Sequence, residues 1–237
     1  MVTPSQILGH ISSGKVLDVA TGTGGFIHFL IAGLKDFDEI SGVDAADRNA
    51  ITFVEAFKDK SNIRVVQMDA EHLGFPEAGF DAVCISNSLH HLSNLPRVLA
   101  EMKHVLKPGG HFLISEMYCD GQAEEQLTHV LLHHWWAAVD MAQGVTHYET
   151  YTRAQIETIV AGLNLRHLVL SDLCDLSGDP KDPETIKELN GIIDRYIERV
   201  KGLSNEAVLQ QRGEQLRQRV QMVGFQSATT LIAVGEK

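Results

Sequence analysis

Short runs rich in Val, Ile and Leu recur at 15–20 (KVLDVA), 38–43 (DEISGV), 63–68 (IRVVQM), 80–86 (FDAVCIS) and 111–116 (HFLISE), and helical periodicity fills the segments between them. Strands alternating with helices predict βαβ units and a parallel sheet covered on both faces. Ser93 is placed to cap a helix running to about Leu106, where LKPGG (106–110) stops it with Pro and paired Gly. Thr152 precedes a further helix near 152–162, and a strand follows at 165–171.

Two stretches depart from this alternation. At about 100° per residue, a helix over 122–142 gathers Leu127, Val130, Leu131, His134, Ala138, Met141 and Ala142 on one face, with Leu132, Trp136 and Val139 off it. A helix apolar on two sides needs two neighbours. The stretch 183–203, opened by Asp182 and Pro183, puts Ile186, Leu189, Ile193, Tyr196, Val200 and Leu203 on one seam, which packs on the core or pairs with a second copy as a homodimer. Gly202 and Ser204–Asn205 break it before another helix to about Val223. The segment 227–237 is a last strand, free to run antiparallel because a helical excursion leads into it. With no repeat and no Pro/Gly-rich linker, residues 1–237 are read as one domain carrying helical insertions at about 120–150 and 173–222.

Composition narrows the function classes. The 20 Lys and Arg stand against 31 Asp and Glu, a net charge of −11 that disfavours nucleic acid or any partner held by phosphate neutralisation. No stretch approaches the ~18 apolar residues of a membrane span, and MVTPSQILGH lacks the basic and apolar regions of a leader, so a cytoplasmic protein is expected. Cys84, Cys119 and Cys174, odd in number and widely spaced, fit neither a disulfide framework nor a cysteine-based zinc site.

The segment richest in chemistry is VLDVATGTGGF (16–26), a strand entering a glycine-rich turn and then a helix. Gly22, Gly24 and Gly25 allow positive φ and close approach of a ligand to the backbone. Asp44 ends the second strand, 20 residues after Gly24, where a carboxylate can accept both hydroxyls of a ribose. Asp69 ends the third strand, placed to meet an exocyclic amine, and Ala70 leaves room for a ring. Asp18 lies just upstream of the turn. A carboxylate there disfavours a pyrophosphate and suits a cationic group. The dinucleotide pattern also wants Gly or Ala at position 27, which is Ile. An NAD(P)-dependent oxidoreductase and a non-catalytic binding module therefore stand as alternatives to a cationic adenosine cofactor.

DVATGTG (18–24), Asp44, Asp69–Ala70, FDAVCISNSLHHLSN (80–94) and LKPGG (106–110) together resemble the class I S-adenosylmethionine-dependent methyltransferases, in particular the small-molecule group related to quinone-biosynthesis methyltransferases. Ala20 replaces the first glycine of that signature. The resemblance covers about residues 14–117 motif by motif and the end strand more loosely. It implies an α/β, Rossmann-like seven-stranded sheet of order 3-2-1-4-5-7-6 with the last strand antiparallel. It further implies that Asp18, Ala20, Thr21, Gly22 and Gly24 hold the amino-acid end of S-adenosyl-L-methionine, Asp44 and Ala45 its ribose, Asp69 and Ala70 its adenine, and that Ser86 and Asn87 border the methyl group. S-adenosyl-L-homocysteine would be the product.

Methyl transfer from a sulfonium relies chiefly on alignment. If the acceptor must lose a proton, His90, His91, Glu116 and His147 lie near sheet-edge loops, with His91 and Glu116 the expected catalytic pair. No metal centre is expected. Consecutive histidines such as His133–His134 point about 100° apart on a helix and do not readily share an ion. Trp135 and His134 read as core, Trp136 as the wall of a small-molecule substrate pocket or a subunit contact, and His147, Tyr148 and Tyr151 as a loop that closes the pocket or is simply tied down.

Overall fold

The computed structural model describes residues 3–46 and 49–237. Its strands are β1 (Ser12–Val19), β2 (Asp36–Asp44), β3 (Ile63–Gln67), β4 (Phe80–Ser86), β5 (Leu106–Met117), β6 (Arg166–Leu173) and β7 (Thr230–Glu236), each centred on a short apolar stretch. They form one sheet in the order β3-β2-β1-β4-β5-β7-β6. The first five neighbours pair in parallel, and β7 lies antiparallel between β5 and β6. The sheet order and the reversed last strand are those implied by the sequence resemblance.

Val16, Leu17 and Val19 of β1 are wholly buried, as a central parallel strand covered on both faces requires. One face is covered by α1 (Pro4–Leu8), α2 (Gly25–Gly33) and α3 (Ala50–Ala56), whose Leu8, Ile27, Leu30 and Phe53 meet Val16, Ile40 and Cys84. On the other face α4 (Leu95–Val105) and α6 (Arg153–Gly162) bring Val98, Met102, Ile156 and Val160 against Leu17, Val83 and Phe112. Thr152 caps α6 with a reciprocal box: its hydroxyl accepts from Gln155 N–H while the Gln155 side chain accepts from Thr152 N–H.

Ser93 does not cap α4. Asn94 takes the cap position without a side-chain bond, and the Ser93 hydroxyl donates to Glu71 at 3.2 Å instead. Nor does LKPGG form a separate turn; it enters β5 through an irregularity in the β4 pairing, where Gly109 has φ +77° and a Cβ on Gly110 would meet Leu106 at 2.6 Å.

The helical excursions pack on each other. The long helix α5 (Glu124–Ala142) buries Leu132, Trp135 and Val139 against α7 (Pro183–Arg199) and α8 (Glu206–Met222), while Leu127 and Val130 turn to Met117 and Ala228 at the sheet. The two-sided helix is there, with Trp135 on the α7–α8 side and Met141 largely exposed. All six seam residues of the 183–203 stretch join this cluster. Trp135 is fully buried and donates from Nε1 to the Leu209 carbonyl at 2.9 Å.

Gly213 of α8 admits the Trp135 ring, since a Cβ there would lie 2.5 Å from Cζ2. Gly191 of α7 has only the tip of Arg195 nearby, at 3.7 Å. The same substitution should therefore act with opposite signs. Gly191→Ala is expected to stabilise by about 0.5–1 kcal/mol through helix propensity, and Gly213→Ala to destabilise by about 1–3 kcal/mol through overpacking. Urea unfolding of the two variants side by side checks this.

Candidate active site

The C-terminal ends of β1 to β4 open on one edge of the sheet, the edge where parallel α/β sheets bind ligands. Two adjoining cavities lie there, of about 470 and 560 Å³. Asp18, Thr21, Phe26, Phe29 and Ser86 line the first; Asp44, Ala45, Asp69, Ala70 and His91 line the second. Ala20, Gly22, Asn87 and Ser88 line both, so the glycine-rich turn stands where the two meet.

The turn is built from left-handed residues. Ala20, Gly22 and Gly24 have φ of +54°, +56° and +87°, a conformation that costs a side-chain-bearing residue about 1 kcal/mol. Ala20 thus occupies a glycine-like conformation despite its Cβ. A Cβ on Gly22 would meet nothing within 4 Å, leaving the backbone open to a ligand. Gly24 is glycine for a different reason: its Cβ would lie 2.4 Å from the Phe57 ring, and it lines neither cavity. Gly24, expected to hold the ligand with the rest of the turn, lets α2 pack close to α3.

Asp44 braces this turn from β2. Oδ2 accepts from Gly22 N–H and Oδ1 from Ala46 N–H, both at 2.8 Å. Asp69 is more open: its Oδ1 takes Glu71 N–H at 2.9 Å, and this bond, with His72 beside it, holds its carboxyl below the usual range. Asp18 is buried. Desolvation pushes its pKa up to about 6, although the Thr21 hydroxyl donates to it at 2.6 Å and the Cys84 thiol faces it at 3.5 Å; nearby Asp44 adds to the rise. Among the described residues no cationic side chain contributes to that shift. A buried carboxylate aimed at a cavity and left without a cation fits a ligand that brings one.

Glu116, expected with His91 as a catalytic pair, lies away from both cavities. It is fully buried at the end of β5, where Oε2 accepts from Ser88 N–H at 3.0 Å and Leu89 N–H at 3.2 Å, and Oε1 meets His90 Nδ1. With both oxygens occupied it anchors the 3₁₀ turn Leu89–His91 and lines neither of the two cavities. His91 does reach the wall of the second cavity. Desolvation, followed by the neighbouring His90 and His147, lowers its pKa to about 3, so it is a neutral acceptor at ordinary pH.

The histidine pairs separate as expected, with a result that was not. His134 turns to Thr150 Oγ1 at 2.9 Å, while His133 turns inward. There its Nε2 lies 2.8 Å from His90 Nε2 and 3.0 Å from His147 Nε2, and His91 completes a group whose ligand atoms lie within 4.8 Å of one another. The partners in this group come from three separate elements, which spacing along one helix cannot reveal. Asp140, seven residues from both His133 and His147, was the available signal. Trp136 sits between Tyr196 and His133 and lines neither cavity. The 143–150 loop is tied down, Tyr148 N–H donating to His90 O at 2.8 Å, and contributes Val145 and Thr146 to the second cavity. From the 173–222 segment only Leu173 reaches a cavity wall; α7 and α8 cover α5, not the site.

Because the Asp18 pKa lies above its ordinary 3.8, ionising it costs fold stability as pH rises from about 4 to about 6. Asp18→Asn carries no such cost. The variant should match the wild type near pH 4 and exceed it by roughly 2–3 kcal/mol at pH 8, read by urea unfolding at the two pH values.

Residues 17–114 match the family described as methyltransferase domain. A ubiquinone/menaquinone biosynthesis C-methyltransferase of Stutzerimonas stutzeri is 34% identical over 122 residues, 47% of this chain and 44% of that protein, so this chain spans under half the length of that relative. Among solved structures, a Bacillus halodurans protein shares the fold at TM-score 0.63 and 15% identity over 99% of this chain and 96% of that one. Phosphoethanolamine N-methyltransferase 2 of Haemonchus contortus, solved with S-adenosyl-L-methionine, does so at TM-score 0.59 and 18% identity over 98% of this chain and 50% of that one. The 17–114 segment, which runs from β1 into β5, is thus similar to the methyltransferase-domain family and to a quinone-biosynthesis C-methyltransferase, and almost the whole chain shares its fold with the two solved structures.

Proposed function

We propose that this chain transfers the methyl group of S-adenosyl-L-methionine to a small, partly apolar acceptor bound at the sheet edge. The observation that carries the reading is the set of three carboxylates, Asp18, Asp44 and Asp69, on the ends of β1, β2 and β3 around two joined cavities. When bound, the cofactor supplies an activated sulfonium methyl. Asp18 would pair with its ammonium group, and that pairing would offset the desolvation its carboxylate suffers in the folded chain. Asp44, already fixed by Gly22 and Ala46 amides, keeps lone pairs for ribose hydroxyls. Asp69 and Ala70 would take the adenine.

Acceptor binding falls to what remains of the walls. Phe26 and Phe29 stack at 5.3 Å between centroids and line the Asp18 cavity together with Leu173, a surface suited to a planar or aliphatic group. Asn87, at φ +44° and held by its own Oδ1 accepting Met117 N–H at 2.9 Å, borders both cavities where the two ligands would meet. Alignment by such preset groups supplies much of the acceleration in a displacement of this kind. His91 is the neutral imidazole at the wall able to accept a hydrogen bond from an acceptor, whereas Glu116 positions the turn that carries it.

Calorimetric titration with S-adenosyl-L-methionine, S-adenosyl-L-homocysteine and NAD tests the reading. Binding of the first two and not of NAD is expected; binding of NAD alone sinks the proposal. Asp44→Ala should weaken cofactor binding by about 1.5–3 kcal/mol, the range of charge-assisted hydrogen bonds. Since Asp18 must be ionised to pair with a cation, wild-type affinity should fall as pH drops through about 6, and Asp18→Asn should bind weakly with that pH dependence gone.

A further inference from the structure

Three histidines beside the second cavity, His90, His133 and His147, are not used by the reaction as described. His90 comes from the turn after β4, His133 from the middle of α5 and His147 from the loop that follows α5. Their three Nε2 atoms converge, with His133 at 2.8 Å from His90 and 3.0 Å from His147. Two of the rings are fixed from behind by acids. His90 Nδ1 faces Glu116, and His147 Nδ1 faces Asp140 Oδ2 at 2.7 Å. A carboxylate behind the far ring nitrogen is how metal-bound imidazoles are held in one tautomer.

Proton counting makes the arrangement more specific. With each Nδ1–H committed to its carboxylate, neutral His90 and His147 turn bare Nε2 lone pairs toward His133. The His133 Nε2 has at most one proton to offer and two such neighbours to serve. One short contact is left as lone pair against lone pair. Charge points the same way: Glu116 is fully buried and has no Lys or Arg among its described ion pairs, and Asp140 has Arg199 at 2.5 Å. A divalent ion would satisfy the three lone pairs together and balance the buried carboxylate through His90.

We propose that His90, His133 and His147, with His91 at the rim, bind a divalent first-row transition ion, zinc foremost. Imidazole ligands suit that class. Nitrogens bound at about 2.0–2.1 Å around a tetrahedral ion lie roughly 3.3 Å apart, so the two contacts of His133, at 2.8 and 3.0 Å, need to open by only a few tenths of an ångström. His91 is the outermost member and lines the second cavity, as does Thr146 next to His147. The ion would join the Leu89–His91 turn, α5 and the 143–150 loop at the border of that cavity.

The site does not rest on the methyl-transfer reading, and its test reads the metal directly. Protein dialysed against EDTA is titrated with Zn²⁺ in competition with a chromophoric chelator, while S-adenosyl-L-methionine binding is measured separately on the same preparation. One equivalent with a dissociation constant below about 1 µM is expected. His133→Ala and His147→Ala should each weaken it at least ~100-fold, and His167→Ala, at an exposed position on β6, should leave it unchanged. Absence of bound zinc in the wild type, or unchanged affinity in both cluster variants, overturns the proposal. Should those variants fail to fold, X-ray absorption of the zinc-loaded wild type decides: a nitrogen shell with imidazole scattering supports the site, and an oxygen shell without it refutes it.

Discussion

A carboxylate taken wholly out of water holds this sheet edge in shape. Glu116 pays for its burial with three donors, Ser88 N–H, Leu89 N–H and His90 Nδ1–H, and in return it fixes the backbone that follows β4. Leaving any one of those donors unpaired would cost on the order of 1–3 kcal/mol. Everything at the junction depends on that loop: Asn87 and Ser88 face both cavities, His91 walls the second, and His90 turns its free nitrogen toward α5. The side chain that looks most like a catalytic acid on paper is therefore the one that sets the positions of others.

A second carboxylate, Asp44, does for β2 what Glu116 does for β5. One oxygen accepts from Gly22 N–H, which joins the glycine-rich turn of β1 to the end of β2, and the other from Ala46 N–H, which fixes the chain just after β2, both at 2.8 Å. The two acids thus hold two different turns, the one after β1 and the one after β4. Asp18 lies between them with no cation of its own, and its raised pKa is the electrostatic cost of keeping a negative charge ready in a dry place. Keeping that charge lowers fold stability at neutral pH, a trade common at functional sites.

The strands and the glycine-rich turn were legible because their signals are local: β-branched runs, left-handed glycines and an acid at each strand end. Ala20 and Gly24 show the limit of that reading. The first carries a side chain yet adopts φ +54°, and the second is glycine to make room for Phe57 and lines neither of the two cavities. Glu116 and the histidine cluster were hidden for another reason. Their partners lie 26 residues apart for His90 and Glu116 and 43 for His90 and His133, joined by folding and not by periodicity. The α7–α8 hairpin was visible as an apolar seam, but which surface it would cover was set by Trp135 and Gly213, a fit of shapes that no pattern of polar and apolar positions encodes.

The placement of β7 also has a consequence in time. β6 has β7 as its neighbour in the sheet, and β7 follows it only after α7 and α8 have been made. During synthesis the first five strands can pair as they emerge, whereas residues 166–173 must wait as an unpaired edge for more than fifty residues before their partner exists. That delay exposes strand hydrogen-bonding groups at the stage when a nascent chain is most prone to wrong pairing. The charged surfaces of α7 and α8, formed in the interval, would keep the growing chain soluble until the last strand slides between β5 and β6.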